Sequence, residues 1–153
     1  MGKVQTNFTG WFPGMGTRSM PEVTEAHANV GTTEIAFGDP VFYKAAAKGI
    51  VGFGDAAATA DNFLGFCYRN PSKTPSEYGS NVSGVKPGEI ADVLTYGAIA
   101  VSLVATATVG NQVYMDANGK ITGSSSSTTA LPNTVFRTVA YPKAEVVVTK
   151  MKM

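Results

Sequence analysis

The chain has 153 residues, enough for one domain with a substantial core, and its twelve basic and eleven acidic residues leave a formal net charge of +1. That balance supplies no long-range field for nucleic acid or an anionic membrane, and one cysteine, Cys67, with one histidine, His27, excludes a disulfide framework and the usual Cys and His metal centres. Charged residues make up only 15% of the chain against roughly 25% in soluble domains, a depletion typical of surfaces that meet other proteins.

Residues 1 to 31 read as an extended arm. Phe8, Trp11, Phe12, Met15 and Met20 are scattered among Gly10, Pro13, Gly14, Gly16 and Pro21, so neither a helical nor a strand period survives. No secretory pattern follows Lys3, and Met1 to Thr6 matches the loose myristoylation pattern only. Pro21 to Ala28, with Pro first and two acids in the first turn, predicts one or two helical turns carrying His27 as a polar surface residue.

From 32 to 153 short apolar runs alternate with turn residues, which predicts an all-β domain, a single β-barrel or jelly-roll-like sandwich. The strands fall at 33–37, 40–45, 49–53, 63–69, 92–96, 98–108, 112–116, 119–122, 134–140 and 144–150, with one helical turn within 55–62. Two segments repeat one phrase. Phe37 to Val51 and Val109 to Thr122 each begin a turn at a glycine, Gly38 or Gly110, and continue as a hairpin. Cys67 falls in a strand pattern as a small core residue. The stretches 70–88 and 123–129, rich in Ser, Gly, Pro or Thr, read as surface loops.

Ile90 to Val109 is long and apolar, yet Asp92 interrupts it and Val93, Ile99, Val101 and Val104 are β-branched. It suits a strand buried on both faces better than a membrane helix, with Gly97 as a bend or bulge between two strands.

The motifs that suggest chemistry each have a plainer reading. Gly49, Gly52 and Gly54 have the wrong order for a dinucleotide fingerprint and no helix follows, so no cofactor is expected. Asp116 to Gly119 opens like a calcium loop but lacks the later bidentate Glu; Asn118-Gly119 instead suits a type I′ turn. The acids are scattered and no pair stands out as a catalytic dyad, and the sequons at Asn7 and Asn81 carry little weight without a signal peptide. Catalytic, cofactor and metal residues are therefore expected to be absent. The aromatics Phe8, Trp11 and Phe12, with Met15, form the one cluster to single out for binding, either to a neighbouring subunit or back onto the chain's own barrel.

Gly38 to Phe42, the run from Lys86 to Gly97 with its apolar strand, and the hairpin from Val109 to Lys120 together resemble the head decoration proteins of tailed phages, in particular the structural cement group. The resemblance spans about residues 30 to 150. It departs from the family in having Asn111 where Asp is frequent, and the arm lies outside it. It implies a non-enzymatic β-barrel or jelly-roll-like protein of the virion, made in the host bacterial cytoplasm. Such a protein would bind the outer capsid surface, clamp neighbouring major capsid subunits and associate with itself as a dimer or trimer, without nucleic acid or membrane. The alternative is another virion β module, such as a tail, fibre or carbohydrate-binding domain.

Overall fold

A computed structural model describes residues 12–17, 21–69 and 84–149. It is all-β, with eleven strands: β1 Val23–Ala28, β2 Ile35–Ala36, β3 Pro40–Lys44, β4 Gly49–Val51, β5 Phe63–Tyr68, β6 Gly84–Val85, β7 Ile90–Ser102, β8 Gln112–Met115, β9 Ile121–Thr122, β10 Thr129–Ala140 and β11 Lys143–Val148. Short 3-10 turns at Ala45–Ala47 and Ala60–Asn62 are the only helical elements among the described residues.

The strand pairings resolve into two units of the same plan. In the first, β4, β3, β5, β7 and β1 lie side by side, and the chain beyond β1 returns to β4 through a bridge between Asn29 and Ile50. In the second, β9, β8, β10, β11 and β7 lie side by side, and the chain beyond β7 returns to β9 through a bridge between Leu103 and Ile121. Both closing bridges are parallel and every other pairing within the units is antiparallel. Each unit is thus a curled sheet whose edges meet, which hides the unpaired backbone of an open edge.

The repeated phrase seen in the sequence holds at the level of single hydrogen bonds. Gly38 (φ +86°) and Gly110 (φ +88°) take the same backbone conformation. The amides of Asp39 and Asn111 donate to the carbonyls of Ala36 and Thr108, those of Gly38 and Gly110 to Cys67 and Phe136, and Cys67 and Phe136 donate back to Asp39 and Asn111. Both phrases are hairpins, β3 with β4 and β8 with β9.

β7 belongs to both units. Its first half pairs with β1 and β5 and its second half, from Gly97 onward, with β11. Gly97 sits at φ +134°, and a Cβ there would lie 3.1 Å from Cγ of Glu22 and 3.3 Å from Cδ1 of Leu94. The expected bend is therefore real, but it lies within one continuous strand, because the backbone turns without breaking the ladder. The strand ends at Ser102 and not at 108, since the chain must leave β7 to reach β9.

Other expectations need correction. Pro21 to Ala28 is not helical: β1 occupies it, because six residues of β7 offer it a ladder and local propensity yields to that pairing. His27 is half-buried, with Nε2 3.0 Å from Oε2 of Glu25 and its ring edge-on to Tyr43. Gly84–Val85 of the predicted loop pairs with β2, and β10 begins at Thr129. Asn118-Gly119 does not make a type I′ turn, which needs positive φ at both residues; only Gly119 has it, at +75°. Asp116 sets this turn instead, its Oδ1 accepting from the amides of Asn118 and Lys120.

One apolar cluster spans both units, from Phe42, Phe63, Phe66 and Leu94 to Leu131, Phe136 and Val146. A second belongs to the first unit alone, where Ile35 and Val85 of the β2–β6 pair join Val41, Ile50, Cys67 and Val93. Sheet residues of the first unit alternate between the two, Val41 with Phe42 and Ile50 with Val51, so its strands are buried on both faces and read as continuous apolar runs.

Gly97→Ala should lower unfolding free energy by about 1–3 kcal/mol, because the side chain must adopt a strained φ beside Glu22 and Leu94. Equilibrium urea unfolding checks this, and an unchanged midpoint would show that the sheet switch tolerates a side chain.

Candidate interaction surface

The segment 12–17 is tied to the second half of β7. The Gly14 amide donates to Ala100 (2.8 Å), Ala100 to Met15 (2.9 Å) and Thr17 to Ala98 (3.3 Å). On its other side the Arg69 amide donates to Gly14 (2.7 Å) and Arg69 Nε to the Pro13 carbonyl (3.2 Å). Gly14 touches Phe37 and Gly38 so closely that no Cβ would fit, its nearest neighbour lying 2.7 Å from that position. The backbone just after the segment's exposed aromatic is therefore fixed from two sides.

That aromatic is Phe12, 59% exposed. The Arg69 guanidinium lies 5.8 Å and the Lys143 ammonium 5.9 Å from its ring centroid. The Arg69 guanidinium also lies 4.7 Å from the ring centroid of Phe37, a core residue of the first unit, so one cation bridges the buried ring and the exposed one. Lys143 is opposite Ser102 in register, and two residues before it Tyr141 is also 59% exposed, in the tight turn between β10 and β11. An aromatic bracketed by two cations, with a second exposed ring on the adjoining turn, has the composition of an interface hot spot.

Beneath this surface Glu145 of β11 is 1% exposed. Its Oε2 accepts from the Thr17 hydroxyl (2.5 Å) and its Oε1 from the Thr138 hydroxyl (3.1 Å). The carboxylate links the N-terminal segment to the second unit, and hydroxyl donors offset the cost of removing it from water.

Of the residues singled out in the sequence, Phe12 and Met15 lie on this segment, Phe12 exposed and Met15 half-buried with its backbone bound to β7. Phe8 and Trp11 lie outside the described residues. Sequence reasoning missed Arg69, Tyr141 and Lys143. Arg69 is the first cation after the apolar run of β5, and Tyr141-Pro142 is a turn signal, but nothing local brings either to Phe12.

A cleft of about 150 Å³ lies where the units meet, lined by Thr33 to Ile35, Asp39 and Pro40, by Gly52 and Phe53, and by Asn118 to Lys120. Gly119 is pressed against the Phe53 ring, where a Cβ would fall 2.4 Å from ring carbon Cγ. Burial raises the pKa of the Asp39 carboxyl above its ordinary value, against the smaller opposing pull of the Lys120 charge. Asp55, which does not line the cleft, is shifted the other way by the Ala57 amide and by Lys44, whose Nζ is 2.9 Å from Oδ2. Among the described residues no group of three or more His, Cys, Asp or Glu side chains is placed to hold a metal ion.

The profile of the structural cement protein family (E217 gp24/Pam3 gp6) matches residues 2–150. A chain in the solved capsid of Myoviridae phage XM1 is similar in structure, with a TM-score of 0.70 and 22% identity over 92% of this chain and 91% of that one. At that identity the likeness is one of fold. No curated protein matches the chain.

The raised pKa of Asp39 has a signed consequence. Ionised, the half-buried carboxylate destabilises the folded state relative to the unfolded one; protonated, it does not. Asp39→Asn should therefore stabilise the protein at pH 7, and the gain should vanish as pH falls through the raised value toward the ordinary range of an aspartate. Urea unfolding of both proteins across that range measures it, and a loss of stability at neutral pH would contradict the burial argument.

Proposed function

The chain belongs to the structural cement protein family of phages, and from that premise we propose that it decorates the outside of an assembled phage head and clamps neighbouring major capsid subunits, without catalysis. Family membership across nearly the whole chain carries this reading. The Phe12 surface supports it with a physical means: a fixed, exposed aromatic flanked by Arg69 and Lys143, on a chain poor in charge elsewhere.

A protein that binds only the assembled shell stabilises that shell by mass action, in proportion to its concentration over its dissociation constant. Many copies on one lattice need not bind tightly one by one, because self-association as a dimer or trimer would make each later contact intramolecular. Two closed sheets sharing one strand suit this role, since a clamp must hold its shape when pulled from two sides. Its place would be the outer capsid surface of the virion, after synthesis in the bacterial cytoplasm, and a formal charge of +1 gives it no general attraction to packaged nucleic acid.

Purified protein should add to heads that lack it and raise their melting temperature; heads that take up none at micromolar concentration would overturn the reading. Phe12→Ala should leave the isolated protein's stability within about 0.5 kcal/mol, as for most surface changes. The same change should weaken head binding by about tenfold or more, as at a hot spot. Quantitative gels of sedimented heads separate the two effects, and equal occupancy by the variant would remove this surface from the contact.

A further inference from the structure

The chain contains one Asn-Gly pair, Asn118 with Gly119, in the turn between β8 and β9. Such a pair carries its own reaction. The glycine nitrogen can attack Cγ of the preceding asparagine, because no β-carbon crowds its approach. A bond forms between that nitrogen and Cγ, the Cγ–Nδ2 bond breaks, and ammonia leaves with the proton that the nitrogen has shed. Water then opens the cyclic imide at either carbonyl, giving aspartate or isoaspartate, and the backbone of the latter is longer by a methylene.

Packing demands the glycine here. Gly119 sits at φ +75°, and a Cβ would overlap the Phe53 ring. The first unit closes its matching hairpin without such a pair: Lys48 takes the left-handed place at φ +53°, its amide donating to Ala45 as that of Gly119 does to Asp116. The reactive dipeptide therefore follows from the contact with Phe53 and not from the shared hairpin plan.

The same turn restrains the reaction. Asn118 is exposed, so water reaches its side chain, whereas Gly119 is buried. Three successive amides donate to Asp116, those of Asn118 (2.9 Å) and Lys120 (2.8 Å) to Oδ1 and that of Gly119 (3.0 Å) to the carbonyl. To react, the Gly119 nitrogen must shed its proton and close to bonding distance of Cγ. In the closed turn the Asp116 carbonyl holds that proton, and the amides on either side fix the peptide between them.

We propose that Asn118 is a self-modification site that Asp116 keeps closed, converting to aspartate or isoaspartate only when the turn opens. The conversion runs one way. An isoaspartate lengthens the path from Asp116 to Gly119, so the three amides no longer meet on one residue and the turn does not reclose as it was. Asp116 acts as a positioning residue, with no part in the bond changes.

The site is independent of the capsid reading and is tested on the full chain alone. Protein is aged in warm, mildly alkaline buffer with and without urea, and conversion at each asparagine is followed by peptide mapping with mass spectrometry and isoaspartate detection. In urea Asn118 should convert ahead of the other asparagines. Without urea it should be slower by about tenfold or more, the factor being set by the free energy of local opening. Asp116→Ala should return much of that rate at Asn118 and leave the other asparagines unchanged, while Asp116→Asn, which keeps an Oδ1 acceptor, should stay protected. Four outcomes would each overturn the proposal: no conversion of Asn118 in urea, equal rates with and without urea, no acceleration in Asp116→Ala, or acceleration there by the same factor at every asparagine, which marks global unfolding.

Discussion

Everything in this protein depends on β7 being hydrogen-bonded as a member of two sheets. Up to Tyr96 it completes the first curled unit, and from Gly97 it begins the second. The two closed sheets therefore cannot rotate past each other without breaking one ladder, and the apolar cluster that spans them is continuous because the strand beneath it is. A glycine at φ +134° lets the strand pass from one set of partners to the next without a loop. The N-terminal segment reinforces the arrangement by lying along β7 at Ala98 and Ala100, next to the switch.

The two units share a plan and differ in what they add to it. The first carries the β2–β6 pair, which gives its sheet a second buried face. The second carries the buried Glu145, which accepts from Thr17 of the N-terminal segment. Both differences sit outside the common hydrogen-bond pattern. The turn at Gly38 and Gly110 is thus the conserved part of the design within this chain, and the residues that distinguish the units are the ones available for recognition.

The architecture was legible in the sequence where local chemistry set it. Gly38 and Gly110 ahead of short β-branched and aromatic runs announced the hairpins, and Asp92 with Val93, Ile99 and Val101 separated a buried strand from a membrane helix. What escaped was set by distant partners. Pro21 to Ala28 has an acceptable helical start, and Val23 to Ala28 becomes a strand because β7 offers a ladder. Phe12 was visible as an unplaced aromatic, but Arg69 and Lys143 approach it from β5 and β11, far apart in sequence, and no periodicity encodes that meeting. The type of the Asp116 turn was missed because a side-chain oxygen, and not the Asn118-Gly119 pair alone, organises it.

The two closing bridges give the molecule a mechanical character of its own. Each ring of strands is fastened at one residue pair, Asn29 with Ile50 and Leu103 with Ile121, whereas β7 is paired along most of its length. Such a body is a pair of hoops with clasps on a common spine. Tension applied near Phe12 runs into the spine through Ala98 and Ala100 and into the end of β5 through Arg69, and neither route passes through a clasp.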